Sequence, residues 1–373
     1  MMQSSELLAK LTPMDYSRRA DKVRAVFPDT IDALLISHLT NVRYVTGFTG
    51  SNGLVLLTKD ALIFITDGRY TTQSKEQLDA ARVDAQIYVT RQGEGPMVFL
   101  EKVIAQGMRI GLEADTLALA GANKYIEHFS DNTFVPTSGI VEQVRIVKED
   151  GEVDRIRAAC RIADDALEQV LPQLCEFPTE KEFAIALDRR MVDLGASGNS
   201  FDTIVACGAR AALPHAMPTE AKIEPGQMIV IDFGCIVKGY CSDMTRTVSV
   251  GEPDDRQKEM WDQVIESQRL GREIVRSGVA VSAIDAACRD YLRECGVDQY
   301  FTHSTGHGVG LDVHEQPWVR GAGKDNTEAG NILTVEPGIY VEGFAGVRIE
   351  DTLCVTEDGA EVLTCAPKNL VVA

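Results

Sequence analysis

Apolar and polar positions along this chain follow two rhythms. Between residues 17 and 140, short apolar runs (DALLIS, GLVLLT, ALIFIT, ARVDAQIYV, RIGLEA) are interspersed with stretches whose apolar residues recur at helical spacing (RRADKVRAVF, MVFLEKVIAQ, ALAGANKYIEHF). Compact runs of aliphatic and β-branched residues predict strands, and a 3.6-residue period predicts amphipathic helices. Their alternation predicts an α/β domain. The stretch VEQVRIVKEDGEVDRIRAACRIADDALEQVL, from Val141, holds a charged, glycine-containing joint and then a long amphipathic helix. It places a domain boundary near Ile146, giving domains 1–145 and 146–373. In the second part, Thr179-x-x-Glu182 is a capping box opening a helix that runs through Met191. Residues 254–276 and 282–295 predict further helices, the latter with Ser282 as its cap. GFTGSNG, from Gly47 to Gly53, reads as a turn.

Composition narrows the class of protein. The 373 residues are 45% hydrophobic, enough for two ordinary cores. A net charge of −19 argues against nucleic acid or an anionic membrane as partner. No run approaches the ~20 apolar residues of a membrane span. The opening MMQSSELLAKLTP lacks the apolar centre of a signal peptide, so a cytoplasmic location is expected. The nine cysteines all lie between Cys160 and Cys365 and include no C-x-x-C pair, a pattern that fits free thiols in a reducing compartment. Cys235 and Cys241 read as small buried hydrophobes. There is no internal repeat or low-complexity run.

The candidate chemistry is concentrated in the last third. Asp232 ends the apolar run MIVI, and a second strand-like run, YCSDMTRTVSV, follows a glycine-containing break. A four-residue loop from Ile236 to Gly239 would set Asp232 directly opposite Asp243. Facing residues of an antiparallel pair have Cβ atoms roughly 4.5–5.5 Å apart. Two carboxylates that close repel unless a proton or a cation lies between them, and carboxylate oxygens are hard ligands suited to manganese, magnesium or calcium. Glu336 and Glu350 are symmetric about Gly343, so a short odd-numbered loop there would face them across a second hairpin, although Pro337 removes a ladder donor beside Glu336. Arg348 shares the face of Glu350. His307 lies in Gly306-His307-Gly308-Val309-Gly310, whose glycines argue against a helical His303/His307 zinc motif. Taken singly, an aspartate at a strand end is ordinarily a turn residue and a histidine in a glycine loop is ordinarily structural. One imidazole and four carboxylates together are the inventory of a site for two divalent cations.

IDFG…YCSDMTRT, STGHGVGLDVHE, TVEPGIY, GVRIEDT and ALPHAMPT together resemble the creatinase, prolidase and aminopeptidase P family, and GFTGSNG and TDGRY resemble that family's amino-terminal domain. The resemblance runs from about Tyr16 to the end. It implies a creatinase-like α/β amino-terminal domain followed by a pita-bread α+β metallopeptidase domain, the fold shared with methionine aminopeptidase. It further implies that Asp232 binds one metal alone, that Asp243 and Glu350 bridge both, and that His307 and Glu336 complete the second, with Glu336 also helping to deprotonate water. His215 and His314 would line the substrate pocket and move protons, with Arg348 beside the site and His303 near it. Creatinase itself lacks these ligands, and all five are present here, which disfavours creatine hydrolysis. The implied activity is metal-dependent hydrolysis of the bond between a first residue and proline at a free amino terminus, as a dipeptidase or an aminopeptidase P. Manganese is favoured over cobalt or zinc because four of the five ligands are carboxylates. A homodimer is expected, in which residues 47–53 help wall the neighbouring pocket. Two other readings stay open: a same-fold metalloenzyme acting on a non-peptide substrate, such as a carbon–sulfur lyase, and a non-catalytic binding module. Arg320 reads as a solvated surface arginine, with recognition of a dipeptide carboxylate as its other reading.

Overall fold

The computed structural model describes residues 8–372. The chain forms two compact units, one of residues Pro13–Arg145 and one of Ile146 onward together with the described residues up to Thr12. Leu8 and Leu11 pack against the core of the second unit, and Thr12 donates to Asp154. The first unit therefore starts at Pro13.

In the first unit a six-stranded mixed sheet, ordered β4-β3-β2-β1-β5-β6, is formed by β1 Ala33–Ile36, β2 Leu54–Thr58, β3 Leu62–Asp67, β4 Gln86–Thr90, β5 Arg109–Glu113 and β6 Thr133–Thr137. The helices are α1 Arg19–Ala25, α2 Leu39–Thr46, α3 Thr71–Ala80, α4 Met97–Val103, α5 Leu119–His128 and the single turn α6 Glu142–Arg145. The predicted strands and three predicted helices are all present. Helices α2 and α3 and strand β6 had no clear period to announce them. In α2, LTNVRYVT is rich in β-branched residues and is helical because Val42, Tyr44 and Val45 are buried. In α3 only Ser74 and Leu78 are buried. Strand β6 contains Pro136, which its place at the sheet edge tolerates. The GFTGSNG and TDGRY segments meet within this unit. Ser51 hydrogen-bonds Tyr70 through their hydroxyls at 2.7 Å, and Asn52 Nδ2 donates to Asp67 Oδ2 at 2.6 Å.

The second unit is built on two helix-backed sheets. Its helices are α7 Asp150–Val170, α8 Glu180–Asp193, α9 Asp255–Glu273 and α10 Val281–Glu294. Capping boxes open α7 at Glu149, α8 at Thr179 and α9 at Asp254. Helix α10 differs from expectation. Its cap is the extended Ala280, Ser282 lies inside the first turn, and the Val281 N–H goes to the Asp325 carbonyl, so no side-chain cap is used.

One sheet contains β7 Ile204–Cys207, β8 Met228–Phe233, β11 Met244–Val250 and β19 Val371–Val372, and the two-residue strands β9 Ile236–Val237 and β10 Tyr240–Cys241 form the tip of the β8–β11 hairpin. The other contains β12 Gly306–Gly308, β13 Glu315–Val319, β14 Ile332–Val335, β17 Asp351–Val355 and β18 Ala360–Val362, and β15 Gly338–Val341 pairs with β16 Ala345–Arg348. Ile229, Ile231 and Phe233 of β8 pack with Ile162, Phe183 and Leu187 of α7 and α8. Leu333 and Val335 of β14, with Val347 and Leu353, pack with Val264 and Ile284 of α9 and α10. Because successive strand residues point to opposite faces, this apolar alternation fixes where the intervening residues go. Asp232, Glu336, Arg348 and Glu350 all fall on the faces turned away from the helices. Strand β11 joins the two sheets: Glu350 N–H donates to the Thr245 carbonyl at 3.1 Å, Thr352 Oγ1 to the Asp243 carbonyl at 2.7 Å, and Thr247 Oγ1 to the Arg348 carbonyl at 2.8 Å.

Candidate metal centre

The hairpin bearing Asp232 and Asp243 has a different register from the one expected. Asp232 stands opposite Thr245, not Asp243, because Lys238 and Gly239 close a two-residue turn with φ of 49° and 88° and pair Val237 with Tyr240. Tight hairpins of this kind take left-handed residues at both central positions. Asp243 precedes Thr245 by two and so lies diagonal to Asp232 on the same face. The second hairpin follows the symmetric register. Val335 pairs with Asp351 and Gly338 with Arg348, which sets Glu336 across from Glu350. The ladder opens between those pairs. Pro337 has no N–H, the Glu336 N–H turns to the Thr305 carbonyl, and the Glu350 N–H turns to Thr245.

His307 enters from β12, a strand and not a helix, so His303 and His307 share no helical face. The glycines around it are required by close approach. A Cβ on Gly306 would stand 2.0 Å from the Thr334 carbonyl oxygen, and one on Gly308 2.1 Å from that of Gln316. The His307 Nδ1 lies 3.0 Å from the Gly308 carbonyl. A carbonyl only accepts, so Nδ1 carries the hydrogen and Nε2 presents a lone pair. That lone pair faces Asp243 Oδ2 at 3.5 Å and Glu336 Oε1 at 3.4 Å.

Three overlapping trios have ligand atoms within 4.8 Å of one another: Asp232, Asp243 and Glu350; His307, Glu336 and Glu350; and Asp243, His307 and His314. All five sequence-nominated ligands are therefore brought together. Burial, followed by repulsion from Glu350, Asp232 and Glu336, raises the Asp243 carboxyl well above its ordinary range, and Glu350 is raised the same way by burial and by Glu336 and Asp232. Glu336 is pushed up to about 8, chiefly by burial. His307 is held down to about 4 by burial and then by His314. Asp232 Oδ1 and Glu350 Oε1 are buried and meet no protein donor. Orphaned carboxyl oxygens beside an imidazole lone pair are what a divalent cation completes, so the residues fit the metals that the sequence implies.

A polar scaffold orients the candidate ligands. Thr245 Oγ1 donates to Glu350 Oε2 at 2.7 Å and accepts from Arg348 Nε at 3.1 Å. Arg348 also donates from Nη2 to Asp232 Oδ2 at 2.6 Å and from Nη1 to Tyr340 Oη at 2.7 Å. The Tyr340 hydroxyl stands 2.8 Å from His303 Nε2, while His303 Nδ1 stands 2.7 Å from the Ser304 carbonyl, so the tyrosine hydrogen points to Nε2. Thr334 Oγ1 accepts from the His307 N–H and lies 3.3 Å from Glu336 Oε1.

His215 and His314 line the same cavity of about 410 Å³ as Asp232, His307 and Glu336, and Phe201, Met217 and Trp318 supply apolar wall. The His314 ring lies 4.4 Å from that of His307. Arg320 is exposed and does not line this cavity. Cys235 and Cys241 are buried, and burial pushes the Cys235 thiol up to about 12; among the described residues every cysteine is free. Thr245, Thr334 and Tyr340 were not singled out from the sequence. Strand alternation from Asp243 and Glu336 was a usable signal for the two threonines, whereas nothing local marked Tyr340.

Metal-free protein is expected to lose stability as pH rises from about 6.5 to about 8. In that range the folded carboxyls with raised pKa hold protons that the unfolded chain has already released. The opposing contribution of His307 is lost only as pH falls from about 6.5 toward its folded value of about 4. Melting curves in chelator across the interval test this. A slope unchanged by Glu336→Gln would contradict it.

Two sheets, each backed by two helices and meeting at a carboxylate and imidazole cluster, define a pita-bread fold with a metallohydrolase type of centre. Comparison with known proteins agrees. Residues 154–357 match the model of metallopeptidase family M24, and residues 19–147 match that of the creatinase/prolidase N-terminal domain. A Xaa-Pro dipeptidase of Pyrococcus furiosus is 31% identical over 94% of this chain and 98% of its own. The solved structure of a Xaa-Pro dipeptidase from Bacillus anthracis aligns with TM-score 0.90 at 39% identity, covering 95% of this chain and 99% of that one. An X-Pro aminopeptidase structure from Thermotoga maritima aligns with TM-score 0.85 at 36% identity, covering 94% and 100%. The chain belongs to metallopeptidase family M24, with a creatinase/prolidase amino-terminal domain. Among the described residues no helix is long and apolar enough to cross a membrane.

Proposed function

We propose that this chain hydrolyses the Xaa-Pro peptide bond at the free amino terminus of di- or oligopeptides, with residues 146–373 as its catalytic domain. Two divalent metal ions would be held by Asp232, Asp243, His307, Glu336 and Glu350, with Asp243 and Glu350 shared. The observation that carries this reading is the pair of buried carboxylate oxygens without a protein donor, Asp232 Oδ1 and Glu350 Oε1, inside a cluster of acids that repel one another. The relatives named as Xaa-Pro dipeptidase and X-Pro aminopeptidase support the choice of bond. Divalent ions in such a site supply Lewis acidity toward a carbonyl and lower the pKa of water toward neutrality. Manganese is the ion best matched to four carboxylates and one imidazole.

The protein's own groups divide the remaining work. Glu336 takes the proton of the attacking water. His215 and His314, on the cavity wall, stabilise the developing oxyanion and pass a proton to the leaving nitrogen. Arg348 orients Asp232 through the Nη2 contact to Oδ2 at 2.6 Å. The leaving nitrogen belongs to proline, a tertiary amide with no N–H, so the site needs no acceptor for one. We further assign the protein to the cytoplasm as a homodimer in which residues 47–53 help wall the neighbouring pocket.

The test is to strip the protein of metal, restore each ion in turn, and compare turnover of Xaa-Pro with Xaa-Pro-Yaa peptides. Release of the first residue only when metal is returned, greatest with manganese, is expected. Full activity in the presence of chelator would refute the mechanism. The ratio of the two substrates separates dipeptidase from aminopeptidase.

A further inference from the structure

The segment carrying His215 hangs from a single buried carboxylate outside the metal cluster. Glu180 is the first residue of α8 and is fully buried. It takes no part in capping that helix, because the box is closed by Thr179 and Glu182. Its Oε1 accepts from the Cys207 N–H at 2.9 Å, and its Oε2 accepts from the Thr219 N–H at 3.0 Å and Thr219 Oγ1 at 2.7 Å. Arg210 Nε reaches both oxygens at 3.1 Å, and Arg210 Nη2 continues to the Met217 carbonyl at 2.7 Å. Cys207 and Thr219 are the two ends of the segment, and Arg210 and Met217 flank His215 within it. One carboxylate thus closes the loop at its base and, through Arg210, braces it near its apex. His215 itself is exposed, so the position of its ring over the cavity follows that of the loop that carries it. Two more restraints aim the loop at the centre. Arg348 Nη1 donates to the Pro214 carbonyl at 3.3 Å, and the Ala211 carbonyl packs so close to Gly346 that a Cβ there would stand 1.9 Å away. Burial pushes the Glu180 carboxyl up, but these donors and the Arg210 charge outweigh it and hold the group below its ordinary value, ionised and accepting.

We propose that Glu180 is a positioning residue for His215: its carboxylate, with Arg210, fixes residues 207–219 so that the imidazole stands over the metal cluster. A glutamine at this position would turn an amide donor toward N–H groups that need an acceptor, releasing the loop without touching any ligand.

The experiment uses the full-length protein and two variants, Glu180→Gln and Arg210→Met, the second serving if the first does not fold. Hydrogen exchange read by mass spectrometry is expected to speed up by roughly tenfold or more in peptides covering 208–218 in both variants, with α7 unchanged. This arm needs no substrate, so it decides the matter even if the Xaa-Pro reading, on which the second arm rests, proves wrong. In the second arm, hydrolysis of an alanyl-proline dipeptide with manganese is followed in wild type, Glu180→Gln, His215→Ala and the double variant. Glu180→Gln should lower kcat/KM roughly 10- to 100-fold with bound manganese unchanged, as expected for a pocket group displaced by about 1 Å. The double variant should be no worse than His215→Ala alone. Unchanged exchange in 208–218 would overturn the proposal, as would a loss from Glu180→Gln that is just as large when His215 is already absent.

Discussion

Replacing Asp243 by asparagine is expected to cut peptide hydrolysis by roughly 1,000-fold or more while making the metal-free protein harder to melt. Asp243 belongs to two of the three overlapping ligand trios, one with Asp232 and Glu350 and one with His307 and His314. An amide removes an anionic donor from both. A loss of ~4 kcal/mol of transition-state stabilisation corresponds to that factor. The stability effect has the opposite sign because Asp243 is buried against Glu350, Asp232 and Glu336. Without a cation its carboxyl holds a proton against solution or stands as an unrelieved charge, and both cost stability near pH 8. Asparagine carries neither burden. Melting curves with chelator and with manganese, together with bound-metal analysis, check both signs. The variant should melt a few degrees higher than wild type in chelator, at roughly 2–4 °C per kcal/mol, and should lose the rise that manganese gives. Near wild-type turnover, or a lower melting point in chelator at pH 8, would count against a cation-completed acid cluster.

Asp351, one residue past the proposed ligand Glu350, should be as important to folding as Asp243 is to the proposed chemistry. It is fully buried and gathers Arg246 Nη2 at 3.1 Å, Gln268 Nε2 at 2.9 Å, Arg272 Nη1 at 3.4 Å, Thr364 Oγ1 at 3.2 Å and Lys368. Arg246 is buried too, and its Nη1 donates to the carbonyls of Thr245 at 3.0 Å and Glu350 at 2.5 Å. The pair therefore ties the strand after Asp243 to the strand after Glu350, on the side away from the carboxylate cluster. Removing the acid strands a buried guanidinium without its counter-charge, and breaking buried pairs in this way costs ~3–5 kcal/mol. Asp351→Asn is expected to lower unfolding free energy by about that amount in urea titrations. The double variant Asp351→Leu with Arg246→Met should recover much of the loss, because no charge is then left unpaired. An Asp351→Asn protein within ~1 kcal/mol of wild type would show that the remaining donors had re-formed around the amide.

Much of the centre could be read from local pattern. The run MIVI before Asp232 and the spacing of Glu336 and Glu350 about Gly343 announce strands and a hairpin, and the hairpin is there because Val335 pairs with Asp351 and Gly338 with Arg348. The glycines at 306 and 308 are needed because only a residue without a Cβ fits against the Thr334 and Gln316 carbonyl oxygens, and this run of glycines argues against a helix. The register of the first hairpin was not legible. A tight turn at Lys238 and Gly239 and a longer loop over the same residues leave the same apolar pattern, and only the φ angles at the tip separate them. Helix α2 was hidden for a related reason, since its β-branched residues carry no helical preference and tertiary burial overrides them.

The sequence by itself determined which residues are candidate ligands, the division of the chain into two kinds of unit, and the face on which each acid stands, because a two-residue period and the composition of short segments are properties of neighbours along the chain. Only the tertiary structure decided that Thr245 ties Glu350 to Arg348, that Arg246 and Asp351 brace the ligand strands from behind, and that Glu180 holds the His215 segment at both ends. These contacts join residues between 27 and 105 positions apart. Their partners are chosen by how two helix-backed sheets close on each other, and no local period records that choice.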